Sequence, residues 1–145
     1  MKRVLVVEDH EDTRCVLERF LTRCGYDVAA AGDLRSGLTF LRSQPFDAIV
    51  SDIALPDGTG YALVSEARRC GIGALAIALS AYSYPRDVEE AKVTGFDYHL
   101  KKPLDCIKLR SLLQHEEDGS DMPGVETKPS RYPSDTSDSY RRFDL

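Results

Sequence analysis

The sequence predicts an α/β domain built as a doubly wound, five-stranded parallel sheet. Apolar runs of strand length alternate with stretches whose apolar residues recur at helical spacing, and Gly or Pro marks the joints. Strict alternation calls for parallel strands, and right-handed crossovers then place helices on both faces.

Val4 to Val7 is the first strand, followed by a helix in which Val16, Leu17, Phe20, Leu21 and Cys24 share a stripe that Gly25 terminates. Tyr26 to Ala31 is a weaker second strand. Asp33 is placed to cap a helix carrying Leu34, Gly37, Leu38 and Leu41, and Pro45 closes that unit. The third strand runs from Asp47 to Ser51 and leads through a loop containing Pro56, Gly58 and Gly60. The next helix carries Leu63, Val64, Ala67 and Cys70 and stops at Gly71. Ala74 to Leu79 is the fourth strand, and Pro85 suits the first turn of a helix with Val88, Ala91 and Gly95 inward. A short strand from Phe96 to Leu100 and a helix from about Leu104 to Gln114, with Ile107, Leu112 and Leu113, complete five units.

Periodicity ends near Glu116. Residues 1–117 are therefore expected to form the domain and 118–145 a disordered tail of polar residues, with Tyr132, Tyr140 and Phe143 as solvated aromatics or a docking peptide. The chain of 145 residues is 42% hydrophobic and 30% charged, ordinary globular usage that argues against wholesale disorder or a membrane protein. A formal net charge of -5 argues against direct DNA binding through the phosphate backbone. Apolar runs fall far short of the roughly 20 residues of a membrane span, so a cytoplasmic location is expected. Cys15, Cys24, Cys70 and Cys106 lack C-x-x-C spacing and read as small buried hydrophobes.

In open α/β sheets ligands bind beyond the carboxyl ends of the strands. Glu8 and Asp9 follow the first strand, Asp52 the third, Ser80 the fourth and Lys102 the fifth, so one crevice gathers three carboxylates, a hydroxyl and an ammonium. Crowded carboxylates repel unless a cation or proton intervenes, which makes a divalent-metal site the natural expectation. Taken singly, Asp52 reads as a strand-end residue, Glu8 and Asp9 as helix-entry charge, and Ser80 or Lys102 as surface decoration.

The Val6-Val7-Glu8-Asp9 end of the first strand, the run from Asp52 to Gly60, Leu79-Ser80-Ala81 and Lys101-Lys102-Pro103, in that order, resemble the receiver domain of two-component response regulators over residues 1 to about 115. The resemblance implies a flavodoxin-like sheet of strand order 2-1-3-4-5. It implies that Asp52 accepts a phosphoryl group from a phosphohistidine of a sensor kinase or histidine phosphotransfer protein. It implies Mg²⁺ on Asp9, Asp52 and the Ala54 carbonyl, with Glu8 holding water on the metal. Ser80 and Lys102 would contact the phosphoryl oxygens, and the Lys102–Pro103 bond would be cis. Adjacency to Pro103 and strand alternation favour Lys102 over Lys101. Ser80 would couple to a switch residue three positions before the lysine, which is His99. On this reading the chain catalyses its own phosphorylation and dephosphorylation but acts chiefly as a signalling switch for an unknown downstream protein, as a stand-alone receiver or as a module of a hybrid kinase or larger regulator.

Other occupants of such a crevice fit less well. A flavin or nucleotide module would need a phosphate-binding glycine loop, and neither G-x-x-x-x-G-K-[ST] nor G-x-G-x-x-G is present. An aspartyl-phosphate hydrolase would need D-x-D after the first strand, where this chain has Glu8-Asp9-His10. A receiver that only scaffolds partners would not need the complete polar set.

Overall fold

The computed structural model describes residues 2–80, 95–118 and 140–142. Its elements are β1 (Arg3–Val7), α1 (Glu11–Arg23), β2 (Asp27–Ala31), α2 (Leu34–Ser43), β3 (Ala48–Asp52), β4 (Ala54–Leu55), β5 (Gly58–Thr59), α3 (Gly60–Arg69), β6 (Leu75–Ser80), β7 (Tyr98–Lys101), α4 (Cys106–Asp118) and β8 (Tyr140–Arg142). The main sheet has the order β2-β1-β3-β6-β7-β8. Its first five strands are parallel and, counted in chain order among themselves, reproduce the expected 2-1-3-4-5 arrangement. The helix expected around Val88 and Ala91 lies outside the described residues.

Each strand feeds both faces because alternate side chains point to opposite sides. Leu5, Val7, Ile49, Ala76 and Ala78 pack with Leu41 of α2 and Leu63, Val64 and Ala67 of α3. Val4, Val6, Val50, Ile77, Leu79, Tyr98 and Leu100 pack with Leu17 and Leu21 of α1 and Leu109, Leu112 and Leu113 of α4. Two layers of helix thus enclose strands that are buried on both sides, which explains the unbroken apolar runs. Leu17 and Leu21 are fully buried, each contributing about 1.5–3 kcal/mol by removal from water.

Several helix faces differ from the expected ones. Val16 and Ile107, expected inward, are each 57% exposed, while Leu109 is fully buried. Val16 adjoins buried Leu17, about 100° round the helix, and Ile107 lies two positions, about 200°, from buried Leu109, so both side chains fall off the contact stripe. The cysteines are also corrected: all four are free, Cys15 and Cys70 exposed, Cys24 and Cys106 half-buried at helix margins.

Two short ladders were absent from the expectation. The loop after Asp52 contains an antiparallel pair, Ala54 with Thr59 and Leu55 with Gly58, turning at Pro56 and Asp57. Tyr140–Arg142, expected within a disordered tail, pairs antiparallel with β7, setting Arg141 opposite His99. The exposed peptide groups of an edge strand are a ready template for such pairing.

Candidate functional site

The acidic residues arrive at one place because β1 and β3 are neighbours in register, Val7 beside Ser51. Glu8 leaves β1 one step later with its N–H donating to the Ala31 carbonyl at 3.0 Å. Glu8 is fully buried and Asp52 is 6% exposed, whereas Asp9 lies at the surface. One carboxylate oxygen from each of Glu8, Asp9 and Asp52 lies within 4.8 Å of the others.

Lys102 enters from the far side of β6. Its N–H donates to the Ser80 carbonyl at 2.8 Å, and its Nζ donates to Asp52 Oδ2 at 3.1 Å. The same ammonium is 3.2 Å from Glu8 Oε1, close enough for charge attraction but outside hydrogen-bond alignment, so that buried oxygen has no hydrogen-bond partner among the described residues. The other Glu8 oxygen accepts the His10 N–H at 3.0 Å. Lys101 is exposed at the end of β7, and the Lys102–Pro103 bond is cis.

Burial and the Glu8 charge push the Asp52 carboxyl up to about 7, against the opposing pull of Lys102. Burial lowers the Lys102 ammonium, but the hydrogen bond and charge of Asp52, with the charge of Glu8, leave it above its ordinary value. The cluster therefore carries more negative charge than one lysine neutralises. A hard divalent cation suits it: the donors are all carboxylate oxygens, one buried oxygen is unsatisfied, and Mg²⁺ prefers such ligands. Glu8, Asp9 and Asp52 are the residues that would hold it.

Ser80 closes β6 and is 5% exposed, one residue beyond the Asp52–Leu79 register pair. His99 is buried on β7, on the face opposite Tyr98 and Leu100. Ala54 is exposed on β4.

Further residues, Arg14 and Asp57 among them given no role by sequence reasoning, hold the loops in place. Arg14, from the first turns of α1, donates through Nη1 to the Glu8 carbonyl at 2.9 Å and lies 3.5 Å from the Asp9 carbonyl. Asp57 accepts the N–H groups of Leu34 at 2.7 Å and Arg35 at 3.0 Å, while Asp33 caps the same helix through Ser36. Thr59 caps α3 by accepting the Ala62 N–H at 3.2 Å. Gly60 packs so closely under the end of β3 that a Cβ there would collide with the Asp52 carbonyl. The run Asp57-Gly58-Thr59-Gly60 signals turn and cap chemistry in sequence, but Arg14 reads only as a polar residue of an amphipathic helix.

The family model described as the response regulator receiver domain matches residues 4–114, a span that contains every site residue named above. This chain belongs to the response regulator receiver family. An uncharacterized 14.6 kDa protein from Leptolyngbya boryana is 35% identical over 113 residues, covering 77% of this chain and 86% of that protein. The response regulator PilR from Pseudomonas aeruginosa is 32% identical over 113 residues, 77% of this chain but 25% of PilR, so the chain spans only a quarter of that relative. Among solved structures, the chemotaxis response regulator CheY4 of Vibrio cholerae matches with TM-score 0.75 and 30% identity over 79% of this chain and 98% of its own. A response regulator from Burkholderia pseudomallei, solved with a phosphorylated aspartic acid, calcium ion and citrate, matches with TM-score 0.71 and 27% identity, covering 81% of this chain and 73% of its own. The receiver domain is thus a two-component signalling module. Among its described residues no helix is long and apolar enough to cross a membrane.

Proposed function

We propose that this receiver acts in the cytoplasm and accepts a phosphoryl group on Asp52 from the phosphohistidine of a sensor kinase or histidine phosphotransfer protein, with Mg²⁺ bound. The observation that carries the reading is Lys102 Nζ at 3.1 Å from Asp52 Oδ2, with Asp52 one of three carboxylates, Glu8 and Asp9 being the others, that bring oxygens within 4.8 Å of one another. An Asp52 oxygen attacks phosphorus, an acyl P–O bond forms as the P–N bond to imidazole breaks, and the freed imidazole nitrogen takes a proton from solvent. Such transfer depends on in-line positioning and on neutralising the equatorial oxygens rather than on elaborate covalent chemistry.

Mg²⁺, when bound, supplies charge neutralisation at the phosphoryl oxygens. Asp9, Asp52 and the Ala54 carbonyl would hold it, with Glu8 holding water on the metal. Lys102 exchanges its contact with Asp52 Oδ2 for one with a phosphoryl oxygen, remaining a point charge throughout. The Ser80 hydroxyl donates to another phosphoryl oxygen, and His99, buried on the neighbouring strand, responds as the switch residue. The altered face then binds a downstream protein; the net charge of -5 favours protein contact over direct DNA contact. Residues 1–117 carry this activity.

The phosphorylated aspartic acid of the Burkholderia pseudomallei relative supports the chemistry. Incubation with a small acyl-phosphate donor, followed by intact-mass measurement, tests it. One phosphoryl gained by the parent only with MgCl₂, and none by Asp52→Asn, is the expected result. Equal labelling of parent and variant would reject Asp52 as the acceptor.

A further inference from the structure

Both acid-bearing loops meet the same short segment, Gly32–Arg35, at the junction of β2 and α2: one through Arg14 packed against Gly32, the other through hydrogen bonds to Asp57. On one side, Arg14 hangs its guanidinium between that segment and the Glu8 carbonyl. Nη1 donates to Glu8 at 2.9 Å, and a Cβ built on Gly32 would come within 2.8 Å of the same nitrogen. On the other side, Asp57, from the loop that follows Asp52, takes the Leu34 and Arg35 N–H groups, one on each carboxylate oxygen. Leu34 in turn covers Gly58, where a Cβ would meet Leu34 Cδ2 at 2.5 Å.

We propose that the Gly32–Arg35 turn is a shared buttress of the metal site, with Arg14 and Asp57 as positioning residues that fix the Glu8-Asp9 and Asp52–Gly60 loops against it. The proposal rests on the Mg²⁺ reading above. Groups that orient ligands from behind commonly set metal affinity by about 10–100-fold.

Charge and position predict opposite signs at Arg14. If its guanidinium acted only as a positive charge near the carboxylates, removing it would strengthen cation binding. As a positioning group, its removal weakens binding because Glu8 and Asp9 lose their fixed backbone. Gly32 offers a remote test. Its φ is not in the left-handed region, so alanine is conformationally acceptable there, and the only close neighbour is the end of a flexible side chain. Gly32→Ala therefore displaces Arg14 while touching neither acid loop.

The experiment titrates MgCl₂ into the full chain and follows backbone amide shifts by NMR, with urea unfolding measured in parallel. For Arg14→Ala, Gly32→Ala and Asp57→Ala the half-saturating Mg²⁺ concentration should rise about tenfold. Gly32→Ala added to Arg14→Ala should cause no further change, since the nitrogen it displaces is gone. Adding Asp57→Ala should weaken binding again. Lowered urea midpoints with unchanged half-saturation would show a merely structural role and overturn the proposal, as would tighter binding by Arg14→Ala. A parent that shows no Mg²⁺-dependent shifts at Asp9 or Asp52 would instead reject the metal reading itself.

Discussion

At the amino end of the sheet, Arg68 reaches from α3 to the carbonyls of Ile72 at 2.8 Å, Ala74 at 2.7 Å and Gly95 at 2.9 Å, and to Asp97 at 3.3 Å. Asp97 passes the connection on by accepting the Ala76 N–H at 2.9 Å. Arg3 is similarly occupied, with Asp27 at 3.0 Å and Gln44 at 3.0 Å, while its N–H donates to Asp47 at 2.9 Å. At the carboxyl end, Glu8 and Asp52 are more deeply buried than any of these, yet among the described residues they share one lysine and leave Glu8 Oε1 without a hydrogen bond. One edge uses charge to finish the fold. The other holds charge in excess, and that excess is what a cation and a phosphoryl group can exploit.

The contrast breaks most readily at Arg68. Arg68→Ala strands several carbonyls and Asp97, and should cost about 3 kcal/mol in urea unfolding while leaving phosphoryl gain per folded molecule intact. Next in size, Asp52→Asn removes a buried charge from a repulsive cluster. It should stabilise the metal-free fold by about 1 kcal/mol, although it abolishes phosphorylation. Destabilisation by this variant would mean that the carboxyl edge is as well compensated as the amino edge.

The pH dependence sharpens the same point. Because the Asp52 carboxyl is raised from 3.8 to about 7, the folded chain retains a proton that the unfolded chain has lost. This contribution to stability is present below the unfolded value and fades as pH rises through the folded one. Urea midpoints without metal should therefore fall between about pH 4 and pH 7, Asp52→Asn should remove this component of the slope, and MgCl₂ should oppose the fall. The smallest effect belongs to Arg3→Ala, at most about 1 kcal/mol, because its ion pair with Asp27 is exposed to solvent. A loss as large as that of Arg68→Ala would show that Arg3 holds the amino edge as firmly as Arg68 does.

Much of this division could be read from the chain itself. Strands buried on both faces announce themselves as unbroken apolar runs, as in Val4–Val7, and Asp33 before an amphipathic stretch marks a helix start that the Ser36 hydrogen bond realises. Glu8, Asp9, Asp52, Ser80 and Lys102 were legible because each ends a strand or follows it directly, and parallel strands end together. Arg14 and Arg68 were not. Their importance lies in which distant carbonyls they reach, and nothing in helical periodicity separates such an arginine from a solvated one. Val16 and Ile107 show the limit of periodicity in the other direction, since an apolar residue beside a buried stripe satisfies the pattern without entering the core. Tyr140–Arg142 is too short for alternation to register, and its pairing depends on an available edge rather than on its own residues.

Gly60 carries a consequence for any mutational survey of this receiver. Alanine at this position would press on the Asp52 carbonyl and approach Ser51 Oγ to 3.0 Å, although glycine itself performs no chemistry. A library scored by signalling output would rank positions 52 and 60 as equally intolerant. Only a parallel score for protein abundance would tell the proposed phosphoacceptor from the residue that makes room for it.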